Sequence, residues 1–112
     1  MDESILESIK GYLGINPDDI VFDGEIIIAI NSAFMTLSQL GVGSEDTFTI
    51  HDSTTTWSEF IEDVDQLPMI KSYIFIRARL MVDPPTSSQL MTALQDTARE
   101  YEWRLNAAVD RP

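Results

Sequence analysis

The stretch between Pro68 and the Pro84-Pro85 pair constrains this chain more than any other feature. Ile70, Tyr73, Ile74, Phe75, Ile76, Ala78, Leu80 and Met81 leave it almost no polar side. A helix that is apolar nearly all round has to lie at the centre of its fold, covered by its neighbours. Pro68 suits a first helical turn, and Asp83-Pro84-Pro85 ends the segment sharply. The spacing therefore predicts a central, buried helix over about 68–82. Its β-branched and aromatic content leaves open that part of it is a strand. Arg77 and Arg79 lie inside this apolar stretch, where unpaired charge is costly. Both are expected to bond acids or carbonyls, either in the same subunit or in a neighbouring one.

Other segments supply candidates for the cover. Ile5, Leu6, Ile9, Tyr12 and Leu13 form one stripe of a helix over about 4–13. Ser4 with Glu7 three residues on matches a capping box, and Gly14 is the expected stop. A second helix runs from Asp23, a reasonable N-cap, to about Leu40. Its main apolar face is Ile26, Ile30, Ala33, Phe34, Leu37 and Leu40. Ile28 and Met35 lie nearly opposite, so this helix is expected to contact two neighbours. Gly41 ends it. Thr56-Trp57-Ser58-Glu59 is another capping box and opens a short helix through Phe60, Ile61 and Val64. Thr86 and Gln89 cap the last helix, which runs to about Ala108 with Leu90, Leu94, Ala98, Tyr101, Leu105 and Ala108 at a 3.6-residue period.

Between the second and third helices lies a polar stretch from Gly41 to about Thr55, long for so short a chain. Within it Thr47-Phe48-Thr49-Ile50-His51 alternates apolar and polar residues, a short strand signal. A lone strand cannot satisfy its own backbone, so Phe48 and Ile50 are expected to pair in a hairpin or with another copy. The fold class that follows is all-α: a small bundle of about four helices plus a long loop with a short β-strand or hairpin. At 112 residues, 44% of them hydrophobic, the chain fits a single domain spanning 1–112. A domain of this size gains from association.

The net charge is −12, and it is unevenly placed. Residues 1–65 carry 14 acids and one base, Lys10; residues 66–112 carry five acids and six bases. A surface so acidic repels phosphate, which argues against ordinary nucleic-acid binding. The asymmetry would let copies associate head to tail; equally, acidity alone aids solubility. There are no cysteines, so disulfides and thiolate metal sites are excluded. The acidic Met1-Asp2-Glu3 start is unlike a secretory leader. No apolar run approaches the roughly 18–20 residues a membrane span needs, so a soluble protein is expected.

Residues that could carry chemistry are few. His51 is the only histidine and has no second histidine or cysteine to complete a metal site or a nucleophilic relay. Glu59, Glu62, Asp63 and Asp65 cluster in the short helix, where Glu59 shares a face with Glu62 and Asp63; a pair of them could hold a divalent cation or do acid–base work, yet no companion group points to a substrate, and a solvated acidic face is the simpler reading. Asp18-Asp19 with Asp23-Gly24 lacks the ligand spacing of a calcium loop. No phosphate-binding glycine pattern or serine elbow occurs. The expectation is a protein without cofactor, metal or catalytic residues. Trp103, by contrast, lies off the core stripe of the last helix on the same side as Asp96 and Arg99. An aromatic beside charged groups there is a hot-spot candidate, unless it packs under the 41–55 loop. The candidate interface residues are thus Trp103, Arg99, Arg77, Arg79, Phe48 and Ile50.

Three segments carry a resemblance: Ile70-Lys71-Ser72-Tyr73-Ile74 through Arg79-Leu80, then Asp83-Pro84-Pro85-Thr86-Ser87-Ser88, then Glu102-Trp103-Arg104-Leu105-Asn106. Ile30-Asn31-Ser32-Ala33-Phe34, Leu40-Gly41-Val42-Gly43, and Trp57 with Phe60 add to it. The chain resembles the phage head–tail connector family, the small adaptors that form a ring beneath the portal. That resemblance implies a non-enzymatic virion protein of the neck, present in the host cytoplasm during assembly. It implies a homo-oligomeric ring, commonly dodecameric, with the portal protein on one side and tail-completion or stopper proteins on the other. Genomic DNA would pass through the channel without sequence-specific binding, and no membrane would be involved. The competing reading from charge is an acidic DNA mimic that inhibits a basic DNA-binding protein. A small enzyme with a carboxylate-held metal is a further alternative.

Overall fold

The computed structural model describes residues 3–43, 48–61 and 65–109. They form five helices: α1 (Ile5–Tyr12), α2 (Asp23–Gln39), α3 (Trp57–Phe60), α4 (Leu67–Val82) and α5 (Ser88–Val109). Helix α4 is helical along its whole length and packs against α1, α2 and α5, so its β-branched residues do not enter a strand. Ile70, Tyr73, Ile74, Ile76 and Ala78 from α4 are buried with Ile26, Ile30, Ala33, Phe34 and Leu37 of α2. Ile5, Leu6 and Ile9 of α1 close the core on one side, and Ala98 and Leu105 of α5 on another. Each of the Ile, Leu and Phe side chains among these contributes about 1.5–3 kcal/mol on burial.

Local chemistry explains the ends. Glycines with positive φ terminate α1 and α2, Gly14 at 78° and Gly41 at 85°. After Gly41 the Val42 N–H returns to the Leu37 carbonyl and the Gly41 N–H to that of Ser38, which satisfies carbonyls the helix would otherwise leave open. Gly14 and Ile15 do the same for Gly11 and Lys10. The N-termini differ from expectation at two places. Asp23 does not cap α2; it sits in the first turn, its Oδ1 2.8 Å from the buried Lys10 ammonium. Helix α5 is capped by Ser87, whose Oγ accepts from the Leu90 N–H at 3.3 Å, one residue after Thr86. The capping glutamate of α3 is as expected: the Glu59 carboxylate accepts the Thr56 N–H at 2.8 Å. Helix α3 itself is a single turn, and Val64 lies outside the described residues.

The expected strand is not formed among the described residues. Phe48, Thr49, Ile50 and His51 carry no ladder, and Thr47 lies outside them. The reason is a side chain that takes the place of a partner strand. Asn31 on α2 accepts the Ile50 N–H at 2.8 Å and donates its amide to the Ile50 carbonyl at 2.9 Å. One asparagine thus satisfies the backbone that would otherwise need a second strand. Among the described residues one bridge of β type occurs, joining Ser4 to Thr56 and tying the start of α1 to the start of α3.

Candidate functional site

The Arg77 guanidinium is built into the fold. It donates to the Tyr73 hydroxyl at 2.6 Å, to Thr36 Oγ1 at 3.0 Å and to Ser32 Oγ at 3.1 Å. Tyr73 in turn donates to Glu102 Oε2 at 2.7 Å, and Glu102 lies 4.0 Å from Arg77. This cluster joins α2, α4 and α5. Burial, seconded by the hydrogen bond to the Glu102 carboxylate, pushes the Tyr73 phenol up to about 12. Arg77 therefore satisfies its hydrogen bonds within the subunit. Arg79 differs: it is half-buried, and its guanidinium has no hydrogen bond or ion pair among the described residues.

Phe48 and Ile50 also face inward. Ile50 is fully buried, and Phe48 stacks edge-on against Phe34 at 5.1 Å and beside Phe60 at 5.3 Å. Trp103 does the opposite. It is 72% exposed and does not lie under the loop. Arg99 pairs with Asp96 at 3.3 Å on the same side of α5, and Arg104 with Glu100 at 3.6 Å. All four charged groups are largely in water, so these pairs do little for stability. The structure thus brings Trp103 and Arg99 together on one outer face, buries Ile50 and partly buries Phe48 and Arg77.

One surface escaped the sequence reading, and another was expected to be covered. The turn between α1 and α2 exposes Ile20 at 71% and Val21 at 76%, with Phe22 beside them. Ile28 and Met35 on α2, with Val21 just before it, are exposed at intervals of seven residues, an apolar stripe that nothing among the described residues covers. The signal was present as a second apolar face on α2, and the expected second neighbour is absent among the described residues. Lys10 was the other omission. Its ammonium is buried, donates to the Pro17 carbonyl at 3.0 Å and contacts Asp23, without Asp23 Oδ1 accepting a well-directed hydrogen bond. The only lysine or arginine in residues 1–65 is thereby removed from the surface.

The groups considered for chemistry are dispersed. His51 is exposed, and the neighbouring Asp52 carboxyl is held below its ordinary value by hydrogen bonds from Thr54. Glu59 is committed to Thr56, while Glu62 and Asp63 lie outside the described residues. No group of three metal-ligating side chains occurs among the described residues, and no described helix is long and apolar enough to cross a membrane.

A family model described as phage connector protein matches residues 5–112, nearly the entire chain. The chain belongs to this family. Its role is accordingly that of a structural connector in a phage particle. No curated protein and no solved structure matches the chain. For a connector, the exposed faces of α2 and α5 are the natural places to seek contacts with other particle proteins. The partly buried Arg77–Tyr73–Glu102 cluster holds the helices that present them.

Proposed function

We propose that the chain, acting as a single domain, is a head–tail adaptor. Copies assemble as a ring, dodecameric in the finished neck, with the portal protein on one side and tail-completion or stopper proteins on the other. Genomic DNA passes through the centre without sequence-specific contact. The observation that carries this reading is the family match over residues 5–112. It also favours the adaptor over a DNA mimic, for which acidity is the sole support. The exposed Trp103, with Arg99 beside it, is the kind of aromatic–arginine pair that anchors protein interfaces. Arg79 remains a candidate contact because its charge has no partner among the described residues. Phe48 and Ile50 act indirectly, by fixing the loop that carries His51 and Asp52 at the surface.

The acidic surface of residues 1–65 suits a channel wall. With Lys10 buried, that surface offers phosphates no cation to rest on, so DNA can slide past. A ring in which those carboxylates point mostly away from the lumen would contradict this assignment. The adaptor reading itself is tested by Trp103→Ala and Arg99→Ala. Thermal melts of the isolated chain should move by only a degree or two, since neither side chain is buried. Binding to portal assemblies should fall at least tenfold. A large melt shift with intact binding would make these residues parts of the fold and not of an interface.

A further inference from the structure

The turn at residues 16–23 is braced far more firmly than a connecting loop needs to be. The Asp19 N–H donates to the Asn16 carbonyl, the Asp18 N–H to Asn16 Oδ1, and the Val21 N–H to Asp19 Oδ1. The buried Lys10 ammonium holds the Pro17 carbonyl at one end and the Asp23 carboxylate at the other. The product of this bracing is a fixed protrusion whose tip, Ile20-Val21, lies in water between the exposed acids Asp18, Asp19 and Glu25. A preformed knob loses little freedom when it docks.

A matching hollow lies elsewhere on the same chain. Between α1 and α4, Tyr12, Leu67, Pro68 and Phe75 form apolar walls, with Lys71 and Ser72, of an open cavity of about 610 Å³. Tyr12 leans edge-on against Phe75 at 5.9 Å and remains about half exposed. Arg79 stands one turn beyond Phe75 on the same face of α4, its guanidinium unpaired among the described residues. Lys71 has only a loose 3.8 Å contact with the exposed Glu3 carboxylate and sits over the Trp57 ring at 5.4 Å. An apolar hollow edged by two cations is complementary to an apolar tip edged by acids. The knob is near the C-terminal end of α4, where Phe22 and Asp19 line a second cavity with Val82 and Asp83. The hollow is near the N-terminal end, beside Pro68. The two linings share no residue, and their nearer edges on α4, Phe75 and Val82, lie about 10 Å apart along the helix.

We propose that the Ile20-Val21 knob of one copy seats in the Tyr12–Phe75 hollow of the next, with Asp18 and Asp19 facing Arg79 and Lys71. The contact is heterologous, so it propagates from copy to copy and closes when the rotation allows. It rests on the ring reading above and names the surfaces that neighbours in that ring use.

The chain has no native cysteine, which makes the test direct. Val21→Cys and Ser72→Cys are introduced singly and together, rings are assembled on portal, and a short bismaleimide cross-linker is added. The double variant should give a ladder of products beyond the dimer; each single variant alone should give none. Mixing the two single variants should give one cross-linked dimer. Arg79→Glu should lower ring yield at least tenfold, and Asp18→Arg added to it should restore most of the loss. Rings that form normally without the Val21–Ser72 product, cross-linking that stops at dimers in the double variant, or an Arg79→Glu variant that assembles like the parent would each overturn the proposal. Failure of the unmodified chain to form any ring on portal would instead sink the ring reading itself.

Discussion

Helices α4 and α5 lie against each other, yet they stand in opposite relation to solvent. Helix α4 has 16 residues and buries five of them, Ile70, Tyr73, Ile74, Ile76 and Ala78. Helix α5 has 22 residues and buries two, Ala98 and Leu105. Both read as regular helices, and α5 has the cleaner 3.6-residue period. The difference lies in what the rest of the chain can put around them. Helix α4 is met by α1, α2 and α5, whereas α5 is met chiefly by α4. At about 1.5 Å per residue α5 is roughly 33 Å long, and its first ten residues bury no side chain. Periodicity thus states which face a helix would bury; whether it is buried depends on neighbours, and a 112-residue chain has few to offer. A helix with an organised but uncovered face suits a component of a larger particle.

Substitutions can break this comparison directly. Ile74→Ala in α4 empties part of the core and should cost about 2–5 kcal/mol in urea unfolding. The Tyr73 phenol supplies the next effect. Its folded value of about 12 lies above the roughly 10 of an unfolded tyrosine, so the stability it adds is complete below pH ~10 and is lost as pH rises toward 12. Unfolding free energy should therefore fall by on the order of 2 kcal/mol across that window, and Tyr73→Phe should flatten the decline. The smallest effect is expected from Leu90→Ala, on the exposed end of α5, at under ~1 kcal/mol. Should Leu90→Ala cost as much as Ile74→Ala, the two helices would not differ as described.

Much of the fold was legible in the residues. Pro68 and Pro84-Pro85 bracket α4 as expected, and the glycine stops at 14 and 41 and the Glu59 cap are all in place. Apart from the α5 cap, which falls on Ser87 one residue after Thr86, the main failures concerned partners distant in sequence. The alternation at Phe48 to His51 resembled a strand because local pattern cannot reveal that Asn31, 19 positions before Ile50, supplies the missing hydrogen bonds. Asp23 looked like a cap because nothing local shows Lys10 reaching it from α1. The exposed positions of Trp103 and Arg99 were legible because helical spacing alone puts them off the core stripe. Arg77 and Ile50 were not, since their burial depends on how α2 meets α4 and the loop. The Ile20-Val21 knob went unnoticed because two aliphatic residues in a turn carry no periodicity to read.

Electron microscopy of the chain mixed with portal assemblies from the same genome tests the central claim most directly. The account predicts a ring of copies seated on the portal, with Trp103 covered by a neighbouring polypeptide. Portal particles that remain bare, or a ring in which Trp103 still faces open solvent, would contradict it.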